Sequence, residues 1–144
     1  MYDGLLLDHD GVVVTLGDRT VLRRAAREAL LDAGVSEPDE SAVETLTIAV
    51  SDDDLVGLSR RHDLPAEQLW RHRDDRIQEV LLAETTAGRK APYDDTARLR
   101  DLDVPMGIVS NNQTRIVESV LDHYDLRGLF ETVRARAPTR ESLS

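Results

Sequence analysis

The stretch that decides the fold is Leu5-Leu6-Leu7-Asp8-His9-Asp10-Gly11-Val12-Val13-Val14. Three leucines run into two carboxylates one residue apart, followed by a glycine and three valines. A short continuous apolar run reads as a buried strand, most naturally the central strand of a parallel sheet. Ligands of such sheets gather beyond the carboxyl ends of the strands, which is where Asp8 and Asp10 fall. Strand side chains repeat with a period of two, so both carboxylates are expected on the same side. Gly11 then lets the chain turn sharply away. The same residues also suit an ordinary acidic turn, because Asp and Gly are common turn formers. A second motif downstream separates the two readings.

The chain has 144 residues, enough for one ordinary domain with a real core. Cysteine is absent, which removes a disulfide framework, a thiolate nucleophile and a Cys-based metal site. The formal net charge of -10 repels nucleic acid and anionic membranes. Asp outnumbers Glu, and Lys90 is the only lysine among many arginines. That balance resembles proteins of salt-loving organisms, where screening removes most of the self-repulsion. The start of the chain lacks a basic leader and its apolar run is broken by Asp8, unlike a signal peptide. No stretch approaches the length needed to span a bilayer. A soluble, cytoplasmic protein is expected.

From Thr20 to Ala33 the apolar residues Val21, Leu22, Ala25, Ala26, Ala29 and Leu30 fall at helical spacing, and Gly34 suits the turn that ends a helix. Val43 to Val50 reads two ways: Leu46, Ile48 and Val50 alternate as in a strand, yet a helix starting at Ser41 also fits. Asp52 to Arg61 predicts a short helix capped by Ser51 or Asp52. A longer helix opens at Pro65 and closes by Gly88, with Trp70 as a packing anchor. Residues 16–88 thus form a mainly helical block inserted after the first strand. The alternation then returns with a short helix from Pro92 to Leu102 and a buried strand from Val104 to Val109 that ends in Ser110-Asn111-Asn112. An amphipathic helix spans Gln113 to Tyr124, and Glu131-Thr132-Val133 reads as a third strand. From Arg134 to Ser144 no periodicity is visible. His9 is expected on the side away from the aspartates, packing or bonding locally. His62, His72 and His123 show no ligand spacing.

Two strand ends and the block between them resemble the haloacid dehalogenase-like hydrolase superfamily. Its first motif is an apolar strand followed by Asp-x-Asp-Gly, here Leu5 to Gly11. Its second is an apolar strand ending in Ser or Thr, commonly followed by Asn, here Gly107 to Asn111. The helical block matches the family's inserted C1 cap. The resemblance implies an α/β fold: a Rossmann-like parallel sheet core (residues 1–15 and 89–144, incomplete) with an inserted, mainly helical cap (residues 16–88). It implies Asp8 as nucleophile, forming an aspartyl-phosphate. Asp10 would protonate the leaving oxygen and then deprotonate the hydrolytic water. It places Mg²⁺ on Asp8 and Asp10, the latter through its backbone carbonyl, and assigns phosphate binding to Ser110, Asn111 and Gly11. Ser110 also reads simply as the N-cap of the following helix. Dehalogenating members generally lack the second aspartate, so Asp10 favours a phosphatase. The expected substrates are small phosphorylated metabolites, without nucleic acid or membrane partners.

The resemblance covers the chain but only part of the family's apparatus. A lysine, usually followed by proline, and a later acidic pair have no counterpart after the second motif. Lys90 is followed by Ala91-Pro92 but precedes that motif, and reads as part of the hinge returning from the cap. The stretch from Arg136 to Leu143 looks like a segment that in halophilic relatives runs just ahead of the Lys-Pro. The expectation is the N-terminal portion of a longer hydrolase, with weak or no activity as this chain, since nothing obvious offsets Asp8 against a phosphate. With its later strands lacking, one edge of the sheet core is expected to be exposed and prone to pairing with another chain. The alternatives are a non-catalytic module that binds Mg²⁺ or phosphate, and a degenerate fragment.

Overall fold

A computed structural model describes residues 4–48 and 50–137. The leucine run forms strand β1 (Leu5–Asp8). Two further strands, β2 (Met106–Gln113) and β3 (Thr132–Arg136), join it in a parallel sheet of order β1-β2-β3. Leu5 lies opposite Met106, Leu7 opposite Ile108, and Ile108 opposite Val133. Pairing between β2 and β3 is interrupted between Val109 and Gln113, at the motif end of the strand. Gly107 lets its neighbours lie close: a Cβ there would stand 2.6 Å from Thr132 Oγ1 and 3.0 Å from Leu6 Cδ2 and would push those side chains aside. The fold class is α/β, as expected.

The described residues divide into two compact units. The sheet unit comprises residues 4–17 and Leu81–Ala137. Its covering helix, α5 (Thr114–His123), turns Ile116, Val117, Val120 and Leu121 inward, all fully buried, and packs on β2 and β3. The opposite face of the sheet stays open, with Leu6 71% and Val109 47% exposed. Parallel sheets are ordinarily covered on both faces. Among the described residues β2, flanked by β1 and β3, is the middle strand and β1 has a strand partner only on its β2 side, so the leucine run lies at an edge of this sheet and not at the central position expected for it. No described helix is long and apolar enough to cross a membrane.

The helical unit comprises Asp18–Val80. It contains α1 (Arg19–Asp32), α2 (Glu40–Thr47), α3 (Asp52–His62) and most of α4 (Ala66–Thr86). Each of the first three begins on a side chain that accepts an orphan backbone N–H. Asp18 accepts from Thr20 and Asp39 from Ala42, while Ser51 and Asp54 form a reciprocal capping box. The core buries Ala29, Leu30, Leu46, Leu55, Leu69 and Trp70, so Trp70 is a packing residue. The Arg73 guanidinium lies 5.0 Å from the Trp70 ring centroid and donates to the carbonyls of Leu46 and Thr47, closing the end of α2.

Several expectations are corrected. The ambiguous stretch from Val43 is helical through Thr47, because the Asp39 cap starts a helix whose buried residues Val43 and Leu46 meet the core. The short helix expected from Pro92 to Leu102 is present as a 3-10 helix over Asp94–Asp101, anchored where Thr96 Oγ1 donates to Val13 O at 2.6 Å. β3 extends through Arg134 to Arg136, where no periodicity was expected, because its backbone pairs with β2. Residues 138–144, assigned to the core by sequence, lie outside the described residues.

Candidate active site

β1 ends at Asp8, and His9 already belongs to a turn in which Val13 N and Val14 N donate to the His9 carbonyl. Gly11 supplies the turn with φ +83°, a conformation in which a side chain would be strained. Its amide donates to Val14 O at 2.7 Å, so the group assigned to phosphate is used within the turn. Strand alternation therefore stops at Asp8, and the two carboxylates meet different surroundings. Asp8 is exposed, accepts the His9 backbone N–H at 2.8 Å, and lines a cleft of about 230 Å³ with Leu6, Leu7, Val109, Ser110 and Asn111. Among the described residues the lining contains no Lys or Arg.

Asp10 is not among those lining residues. Its side chain is 23% exposed, and both oxygens are engaged. Lys90 Nζ donates to Oδ1 and also to Thr15 O at 2.9 Å, and Asn112 Nδ2 donates to Oδ2 at 3.0 Å. The His9 ring is fully buried, with Nδ1 3.5 Å from Asp10 Oδ1 and no hydrogen-bond partner for either ring nitrogen. Burial by itself would push the Asp10 carboxyl up; the His9 ring and the Lys90 ammonium outweigh it and hold the carboxyl well below the usual carboxylate range. At 3.5 Å the His9 contact is long for a hydrogen bond, so the direct Lys90 bond is the firmer cause.

Lys90 thus differs from its sequence reading as a hinge residue without a part in the site. It is 1% exposed and stands against Asp10, so a cation does offset one of the paired aspartates. Asn112 was also missed. Its side chain bridges Asp10 and the backbone N–H of Gln113, while its own N–H donates to Ser110 Oγ at 3.0 Å. The doubled asparagine after Ser110 was the available signal. Ser110 is buried and does not cap the following helix, whose N-cap is Gln113. Asn111 is exposed, and its carbonyl accepts from Arg136 Nε at 3.3 Å.

Comparison with solved structures gives the architecture a setting. The chain superposes on CbbY from Rhodobacter sphaeroides, solved with xylulose 1,5-bisphosphate, with a TM-score of 0.63 at 19% identity, covering 94% of this chain and 64% of that one. A haloacid dehalogenase-like family hydrolase from Streptococcus pneumoniae gives 0.56 at 14% identity, over 97% of this chain and 65% of its own. The chain has the haloacid dehalogenase-like fold. A predicted phosphatase from Clostridium acetobutylicum shares that fold with a TM-score of 0.60 at 15% identity, over 96% of this chain and 62% of its own. The chain therefore spans somewhat less than two thirds of these haloacid dehalogenase-like structures. No protein-family model and no curated protein matches its sequence.

Proposed function

We propose that the chain carries the nucleophile half of a Mg²⁺-dependent phosphatase of haloacid dehalogenase-like type, acting on small phosphate monoesters. The observation that supports this reading is the exposed Asp8 carboxylate at the carboxyl end of β1, in one cleft with Ser110 and Asn111. A carboxylate there can attack phosphorus and split one displacement into two easier ones. Ser110 and the Asn111 amide would hold phosphoryl oxygens. Asp10 would protonate the leaving oxygen and then take a proton from the hydrolytic water. The ionised state in which Lys90 and Asn112 hold Asp10 is the one the second half-reaction needs. The complex of CbbY with a sugar bisphosphate supports a phosphorylated metabolite as substrate class. We read the helical unit as the cap, and the protein as one that works in the cytoplasm of a salt-loving organism.

The donor set suits Mg²⁺, which takes hard oxygens from one or two carboxylates and keeps several waters. Asp8 offers a free carboxylate oxygen, and the Asp10 carbonyl is the second donor expected from the family resemblance. No group of three or more His, Asp or Glu side chains suited to a metal occurs among the described residues, so the protein would supply few ligands. When bound, the ion would neutralise charge between Asp8 and the phosphate. Among the described residues no Lys or Arg lines the cleft to share that neutralisation, and we expect weak turnover by this chain alone.

Hydrolysis of p-nitrophenyl phosphate in concentrated potassium chloride, with Mg²⁺ and then EDTA, tests the reading beside Asp8→Asn. Turnover that needs Mg²⁺ and falls by a factor of about 10³ or more in Asp8→Asn is the expected result. Phosphate or Mg²⁺ binding without turnover by the folded chain would favour a non-catalytic module instead.

A further inference from the structure

Lys90 is the only lysine in the chain, and it is spent in the interior. Its backbone is fastened from several sides. Lys90 N donates to Glu84 O, Tyr124 Oη donates to Lys90 O, and the next residue, Ala91, pairs with Thr15 through N–H to Oγ1 at 3.1 Å and O to N–H at 2.8 Å. The side chain then delivers its ammonium to Asp10 Oδ1 and Thr15 O. A buried ammonium is costly unless it is paired and hydrogen-bonded, so a lysine here is not a neutral way to fill space. Arginine is the chain's cation at every other position, yet this position uses the compact ammonium on a flexible stem. Asn112 holds the second oxygen of the same carboxylate.

We propose that Lys90 is the positioning residue for Asp10: its ammonium fixes the orientation of that carboxylate and cancels one of the two negative charges of the aspartate pair. The proposal rests on the reading of Asp8 and Asp10 as the reacting pair. It gives the site a built-in cation that comes from the segment preceding the second motif. That cation acts through Asp10, not on substrate, because it is buried. The pair Asp8 and Asp10 with Lys90 then carries a net single negative charge, which is milder toward an incoming phosphate than two bare carboxylates.

Two measurements on the full chain test this. In a melting cycle, Lys90→Met leaves a part-buried carboxylate unpaired and lowers Tm by roughly 10 °C. Adding Asp10→Asn to Lys90→Met removes the orphaned charge and recovers at least half of that loss, whereas losses that simply add would overturn the proposal. Calorimetric titration with Mg²⁺ alone gives the second readout. Lys90→Met takes a positive charge from beside the aspartates, so Mg²⁺ is expected to bind about tenfold more tightly. Lys90→Arg keeps the charge and stays within about threefold of the unaltered chain. A side chain that serves only as hinge packing would not tighten metal binding when removed, so an unchanged or weaker affinity in Lys90→Met overturns the proposal. If the unaltered chain takes up no Mg²⁺, the metal assignment falls, and the melting cycle alone decides for or against Lys90.

Discussion

The helical unit and the sheet unit solve the burial problem to different degrees. In Asp18–Val80, capped helices turn their apolar stripes onto one another, and Leu46, Leu55 and Leu69 are completely buried. In the sheet unit, α5 closes one face while Leu6 and Val109 remain exposed on the other, beside the edge of β1 that no described strand pairs with. The contrast follows from where the partners come from. Helices packed on sequence neighbours satisfy their own backbone and need only one shared interior. A parallel sheet must recruit its cover and its next strand from elsewhere in the fold. The unit that carries the candidate chemistry is the one left with unsatisfied apolar surface.

The sharpest way to break this contrast is to damage the closed interior. Leu46→Ala should cost about 3 kcal/mol, read by denaturant melts, because a fully buried leucine leaves a cavity behind. A loss under about 1 kcal/mol would mean that the helical unit is no tighter than the sheet unit. Acid probes the sheet unit instead. The folded Asp10 carboxyl sits below its unfolded value, so its contribution is complete above about pH 4 and fades as pH falls toward the folded value. Melts at pH 6 and pH 3 should therefore show a steeper loss for the unaltered chain than for Asp10→Asn; equal slopes would remove Asp10 from the account. A smaller effect is expected at Arg73, whose two bonds to the end of α2 and whose stacking on Trp70 predict a cost of about 1–2 kcal/mol for Arg73→Ala by the same melts. Smallest of all is Leu6→Ser on the open face, expected within about 0.5 kcal/mol of the unaltered chain because its side chain is already in water. A large loss there would show that the open face is covered in solution.

What could be read in the sequence was what depends on local pattern. The leucine run, the 3.6-residue stripes of α1 and α5, and the Ser51 cap all carry their signal within a few residues, and the structure has them. Asp8, Ser110 and Asn111, singled out at two strand ends, line one cleft because parallel neighbours end side by side. What could not be read depends on distant contacts. Lys90 lies 80 residues from Asp10 in the chain, and no periodicity announces that pairing. The 3-10 geometry of Asp94–Asp101 answers to the bond from Thr96 to Val13, and Arg134–Arg136 becomes strand only because β2 offers partners. The expectation that Asp8 and Asp10 share surroundings assumed that strand geometry continued past Asp8, but the turn at His9 ends it.

The solitary lysine has a practical corollary for watching this molecule open and close. A protease specific for lysine has one peptide bond to cut in the whole chain, between Lys90 and Ala91. In the folded state that bond is out of reach, because the side chain the enzyme must grip is tied to Asp10 and the backbone is laced to Thr15 and Tyr124. Cleavage into two fragments at that single point therefore counts how often the latch between residues 10–15 and 89–91 comes undone. A single band becoming two on a gel is a clock for the site itself.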